Sequence, residues 1–237
     1  MRLVLAEMAL GGGEKMHSWR MASLGALAAL FVVVGTTRLQ AGDLYTQPTN
    51  YFGGYYSQND TSPGGVGNWA TVYDNFTLGA SATIGSVSWV GSYYPSAGTV
   101  TGVTISIWAD NSGAPNLADQ LYTTHVSGNA GETYLGLDIL NDPTYSYSAA
   151  IDFNAAAGTQ YWLSIVSDAG YPPGWAWESG TGGDGISYQD YLGSLYELQV
   201  DEAFTLDAVP EPASAALLGG GLALLAVVSR RFKKRSA

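Results

Sequence analysis

The chain has 237 residues, a formal net charge of -11 and no cysteine. It therefore has no disulfide scaffold, no thiolate zinc site and no cysteine nucleophile. All nine Lys and Arg residues lie near the ends, with none between Arg38 and Arg230, which argues against nucleic-acid binding because phosphates need clustered basic side chains. The carboxylates between these ends must be solvated, hydrogen-bonded or neutralised by cations.

Residues 1–41 are predicted to be a signal peptide. Lys15 and Arg20 precede an apolar run over 24–34. That run is too short for a hydrocarbon core of about 30 Å, but its length is typical of a signal h-region. The residues before Met16 fit poorly as an n-region, so Met16 and Met21 are alternative translation starts. A buried core helix is the other interpretation of this run.

The C-terminal segment, 209–237, has three parts in a fixed order. Pro210-Glu211-Pro212 comes first, then an apolar, Gly-rich stretch over 213–228, then a basic tail that contains Arg230, Arg231, Lys233, Lys234 and Arg235. The stretch predicts a short transmembrane helix of about 24 Å, marginal for a bilayer. Basic residues stay on the cytoplasmic side, so the acidic body is expected on the opposite side. An ordinary tail anchor is the alternative.

This tripartite order resembles the PEP-CTERM sorting signal of Gram-negative bacteria. The resemblance implies recognition by an exosortase, cleavage near the Pro-Glu-Pro motif, and release or surface attachment in bacteria that make exopolysaccharide. It also implies that the membrane helix holds the protein in the inner membrane only until processing.

Residues 42–208 are predicted to form one all-β domain. Short alternating runs such as 103–107 and 161–166 are typical of half-buried strands, and clusters of Gly, Pro, Asn, Asp and Ser separate them. No stretch has a convincing helical period. Many short strands without intervening helices favour an antiparallel, jelly-roll-like sandwich over a barrel. The pattern over 74–115 is similar to a β-sandwich module found ahead of such sorting signals.

Aromatic side chains suggest a glycan-binding surface. All 16 Tyr of the chain lie in this domain, and rings with polar tips are suited to stacking on sugars. The candidates are those in or beside turns: Tyr55, Tyr56, Tyr93, Tyr94, Trp175 and Trp177. The alternative is that these rings fill the core of a protein without cysteine.

Calcium is the one cofactor that suits the acidic domain, because it binds six to eight oxygen ligands. The candidate ligands are Asp110, Asp184 and Asp201, each in or next to a turn. No EF-hand spacing is present, and these sequences are equally typical of plain turns.

Enzymatic activity is not expected. His125 is the only His after the signal segment, which disfavours both a Ser-His-Asp triad and a zinc site. The enzymatic alternative is a glycan-active hydrolase that uses Glu178 and Glu197 as a carboxyl pair.

The sequence therefore predicts an exported, non-enzymatic protein that is sorted to the cell envelope, the outer surface or the medium. Its expected partners are the export machinery, an exosortase and exopolysaccharide or matrix, with no nucleic acid. A purely structural surface protein without a ligand is a further alternative.

Overall fold

The computed structural model describes residues 42–209. This part of the chain forms fifteen strands. They are β1 (Asp43–Gln47), β2 (Thr49–Tyr56), β3 (Gln58–Asp60), β4 (Gly67–Thr77), β5 (Ala82–Tyr94), β6 (Gly102–Asp110), β7 (Pro115–Ser127), β8 (Thr133–Leu137), β9 (Pro143–Ala155), β10 (Gln160–Ala169), β11 (Gly174–Gly180), β12 (Ser187–Tyr191), β13 (Ser194–Leu198), β14 (Asp201–Glu202) and β15 (Phe204–Ala208).

The strands form two sheets. The eight-stranded sheet has the order β1-β15-β5-β11-β14, with β2 paired to β11, and β9 paired to both β5 and β8. The seven-stranded sheet has the order β13-β12-β4-β3-β10-β6-β7. The predicted all-β class is confirmed. The pairing is antiparallel except between β3 and β10, which run parallel over three residues.

Alternating side chains place the core between the two sheets. In β6, Val103, Ile105 and Ile107 are completely buried, and they belong to the same apolar cluster as Ile84 and Val87 of β5 in the other sheet. Successive side chains in a strand point to opposite faces, so Thr104, Ser106 and Trp108 lie on the outer face of the seven-stranded sheet. The core residues thereby determine which polar residues face outward.

The predicted signal peptide, 1–41, and the predicted membrane helix over 213–228 both lie outside the described residues. Among residues 42–209, no helix is long and apolar enough to cross a membrane.

Gly91 in β5 allows a close approach between β5 and β11. A Cβ at this position would lie 2.3 Å from Cζ2 of Trp175, a completely buried and rigid ring. We expect Gly91→Ala to lower the free energy of unfolding by about 1–3 kcal/mol, because the core would have to shift to admit the methyl group. Urea denaturation measures this change.

Gly79→Ala is the matched control, because a Cβ there meets nothing within 4 Å. Equal stability of the Gly91→Ala variant and the wild type would show that Trp175 does not pack against this strand.

Candidate functional site

A polar groove lies on the outer face of the seven-stranded sheet. Its volume is about 350 Å³. The groove is lined by side chains from five strands: Asn59, Asn68, Thr71, Tyr73, Thr104, Ser106, Trp108, Gln120, Ser164, Val166 and Asp168. Most of these residues carry hydroxyl, amide or carboxylate groups.

The strand register assembles the groove from residues that are distant in sequence. Ser164 of β10 lies opposite Tyr73 of β4 on one side and Ser106 of β6 on the other. Ser106 in turn lies opposite Thr123 of β7. Directly paired residues share one face of a sheet, so these side chains form one row across four strands.

Hydrogen bonds within the groove hold its side chains in place. The indole Nε1 of Trp108 donates to Ser164 Oγ at 3.0 Å, and the hydroxyls of Ser106 and Thr123 are 3.0 Å apart. The rings of Trp108 and Tyr73 meet edge to face with centroids 5.9 Å apart. Each contact fixes a rotamer before a ligand arrives, which lowers the entropy lost on binding.

Burial raises the pKa of Tyr73 to about 12, and the nearby Asp190 carboxylate adds to the rise. The Tyr73 hydroxyl therefore stays protonated and able to donate a hydrogen bond at physiological pH.

The groove ends at His125, the histidine for which the sequence favours no catalytic role. His125 Nε2 lies 2.9 Å from Asp168 Oδ2, and Asn59 Nδ2 donates to Asp168 Oδ1 at 2.7 Å. Gly102 leaves room for this pair, since a Cβ there would lie 2.6 Å from His125 Nε2 and 2.7 Å from Asp168 Oδ2. Asp168 is thereby held in one orientation at the end of the groove.

Three of the predicted glycan-binding residues lie in the core. Tyr93, Trp175 and Trp177 are completely buried between the sheets, so their rings cannot stack on a sugar. The prediction that these three residues belong to a glycan-binding surface is therefore wrong. A position next to a turn does not show which face of the strand a ring occupies.

Tyr55 and Tyr94 are exposed, and Tyr56 belongs to an aromatic cluster that the sequence analysis missed. The ring of Tyr56 lies 5.2 Å from that of Trp69. Trp69 also contacts Tyr171 at 5.5 Å and Tyr191 at 5.6 Å. These residues come from separate strands and loops, and no pattern in the sequence predicts that their rings meet.

The structure does not bring the three predicted calcium ligands together in one cluster. Among residues 42–209, no three His, Asp or Glu side chains are grouped as a metal centre requires. Asp110 accepts hydrogen bonds from Gly113 N and Trp162 Nε1. Asp184 accepts from the side chain of Asn75.

Asp201 accepts hydrogen bonds from the amides of Gly183 and Gly185, and it lies next to a buried carboxyl pair. Asp74 and Glu202 are both completely buried. Burial raises the pKa of each well above its usual range. The main-chain amide of Glu202 donates to Asp74 Oδ2, whereas Glu202 Oε2 has no hydrogen-bond partner. The ionised form of Glu202 is therefore less well stabilised than that of Asp74.

The carboxyl pair of the hydrolase alternative is not assembled. Glu178 is completely buried in β11 of the eight-stranded sheet. Glu197 is exposed on β13 of the other sheet and accepts a hydrogen bond from the Tyr188 hydroxyl at 3.1 Å. A scissile bond must lie between two accessible carboxyl groups, so Glu178 and Glu197 cannot act together as the carboxyl pair of a hydrolase.

Comparison with known proteins identifies the C-terminal segment. The chain carries a PEP-CTERM protein-sorting motif at residues 208–234. The match includes Pro210, Glu211 and Pro212 and the basic residues up to Lys234, whereas Arg235 follows it directly. No curated protein has significant similarity to the chain.

The PEP-CTERM motif implies processing by an exosortase and export to the cell envelope or surface by membrane-associated sorting.

Proposed function

We propose that the protein is a non-enzymatic, surface-sorted binding protein whose groove holds a neutral polysaccharide of the extracellular matrix. The observation that carries the proposal is the row of hydroxyl and amide side chains beside the partly exposed ring of Trp108 on an outer sheet face. Such a combination suits polyhydroxylated ligands, because hydroxyls both donate and accept hydrogen bonds and the apolar faces of sugars stack on aromatic rings.

The charge of the domain favours a neutral polysaccharide over an acidic one. There is no Lys or Arg between Arg38 and Arg230, and Asp168 adds a carboxylate at one end of the groove. An anionic chain would meet repulsion without a compensating cation. Neutral hydroxyl groups can instead donate to Asp168 and to the amide oxygens of Asn59 and Gln120.

The route to the surface follows from the two ends of the chain. The signal peptide directs export, and the apolar stretch over 213–228 anchors the protein in the inner membrane with its basic tail in the cytoplasm. The exosortase then releases the domain to the outer surface or the medium, where exopolysaccharide is accessible.

Retention on polysaccharide isolated from the native cells tests the proposal. We expect Trp108→Ala and Gln120→Ala to weaken retention of the purified protein by about tenfold each, equivalent to about 1.4 kcal/mol, because one removes a stacking surface and the other a hydrogen-bonding amide. Affinity electrophoresis in gels that contain the polymer measures the change.

Tyr94→Ala is the matched control, because Tyr94 is exposed but lies on the other sheet. It should bind like the wild type and melt at the same temperature. The proposal is wrong if the wild type is not retained on the native polymer, or if both groove variants are retained as strongly as the wild type. A purely structural role is then favoured.

A further inference from the structure

The loop between β8 and β9, residues 138–142, lies against the β2–β11 region of the eight-stranded sheet. The amide of Ile139 donates to Tyr51 O at 3.0 Å. A Cβ on Gly53 would lie 2.8 Å from Leu140 Cδ1 and 3.8 Å from Asp138 Oδ2. Because Gly54 pairs with Glu178 of β11, this loop approaches the strand that carries Glu178.

Asp138 is the anchor of this loop, and only half of its carboxylate is used there. Oδ1 accepts hydrogen bonds from the amides of Leu140 and Asp142, each at 2.8 Å. Oδ2 is buried and has no hydrogen-bond partner. It is this unpaired oxygen that faces Gly53.

Glu178 of β11 also lies near Gly53, and it is completely buried. Neither carboxylate oxygen has a hydrogen-bond partner, although the Ser92 hydroxyl and the Gly53 amide lie beside the group. Two buried acidic residues therefore present three unpaired oxygens to one region of the protein interior.

The charges around this region are all of one sign. Asp138 and Asp142 of the loop add to the negative potential at Glu178. There is no Lys or Arg between Arg38 and Arg230 to offset it. A buried, unpaired carboxylate is very costly, so Glu178 must take up either a proton or a cation from solution.

We propose that Glu178 and Asp138 Oδ2 bind a calcium ion beneath the 138–142 loop. Calcium takes six to eight oxygen ligands in flexible geometry, including carbonyls and water, whereas magnesium demands a near-ideal octahedron and retains its water. With no group of three acidic or His side chains in the described region, the other ligands are the Ser92 hydroxyl, backbone oxygens and water. None of Asp110, Asp184 and Asp201 takes part.

Thermal melting of the purified full chain tests this site. We expect 10 mM calcium chloride to raise the Tm by about 5 °C over the value in EDTA, as for a millimolar-range extracellular site. Magnesium should have a smaller effect. Terbium luminescence, sensitised by nearby aromatic rings, should report one bound ion that calcium displaces.

Glu178→Gln and Asp138→Asn should each abolish the calcium-dependent rise. Glu178→Gln should also melt in EDTA at or above the wild-type temperature, because a neutral amide replaces a buried acid of the same shape. Glu202→Gln is the matched control, since it alters another completely buried carboxyl and should keep the rise.

The proposal fails if calcium leaves the wild-type Tm unchanged, in which case a proton is the partner of Glu178. It also fails if the rise persists in both site variants or is lost in Glu202→Gln. None of these outcomes depends on polysaccharide retention, so the calcium site and the groove are tested independently.

Discussion

Trp177→Ala is expected to lower the free energy of unfolding by about 3–5 kcal/mol, because it leaves a large cavity between the two sheets. Trp177 is completely buried. Its Nε1 donates to Ala203 O at 2.9 Å, and its ring lies 5.8 Å from that of Phe204. Urea denaturation followed by circular dichroism measures the shift in the transition midpoint.

Tyr196→Ala provides the control, because this aromatic residue is exposed on the edge strand β13 and should change stability by no more than about 0.5 kcal/mol. The experiment also separates two roles of Trp177. A variant that keeps its stability but loses retention on polysaccharide would restore the residue to a binding surface and contradict its place in the core.

The second large effect concerns pH. We expect the protein, studied in EDTA, to be more stable at pH 5 than at pH 8. Burial raises the pKa of Asp74 and of Glu202 well above the usual range. The folded state therefore binds more protons than the unfolded state over the interval between the unfolded and folded pKa values. The contribution of these groups to the free energy of unfolding is complete below their pKa in the unfolded chain, near 4. It falls as the pH rises toward their pKa values in the folded protein.

Glu202 contributes more to this dependence than Asp74 does, because Asp74 is better supplied with hydrogen-bond donors. Asp74 accepts hydrogen bonds from the amides of Asn75 and Glu202. With its amide oriented to donate, Gln47 adds a third at 2.7 Å. Glu202 has only the Ser187 hydroxyl at 3.3 Å. One proton bound by the folded but not by the unfolded state lowers the free energy of unfolding by about 1.4 kcal/mol for each pH unit of increase, between the unfolded and folded pKa values.

Glu202→Gln should reduce the slope of the pH profile, since the amide cannot ionise, and raise stability at pH 8 relative to the wild type. The slope that remains comes from groups such as Glu178, whose pKa burial raises to about 7. Urea midpoints between pH 4.5 and 8.5 provide the measurement. Glu197→Gln, at an exposed position, should leave the profile unchanged. A wild-type stability that increases from pH 5 to pH 8 would show that Glu202 is ionised in the folded protein.

Local sequence patterns predicted the all-β class and several of the strands. The alternation at 103–107 places Val103, Ile105 and Ile107 on the core side of β6, as expected from a period of two. The composition also established that the domain has no basic side chain to pair with its acids, and the tripartite tail established the sorting signal.

The same patterns misplaced several aromatic residues. Trp175 and Trp177 follow the Gly-Pro-rich segment 170–174, which favours an exposed turn. In the structure β11 begins at Gly174 and pairs with β5 and β2 on its two sides. β11 is buried along its whole length. The residues of a short segment do not show which strands will pair with it on either side.

The groove could not be predicted for a related reason. Tyr73, Ser106 and Ser164 are each unremarkable in sequence, and they become neighbours only because β4, β10 and β6 pair in a particular register. Register depends on interactions among all the strands of a sheet, and a slip of one residue would turn these side chains toward the core.

The amino-acid sequence by itself determined the all-β class, the absence of basic side chains from the domain and the C-terminal sorting signal. Each of these is a property of short segments or of composition. Only the tertiary structure decided which aromatic rings are buried, which polar side chains share a groove and which carboxylates lack a partner. Those properties depend on contacts between residues about 50 to 130 positions apart, which form when the sheets pair and pack and not before.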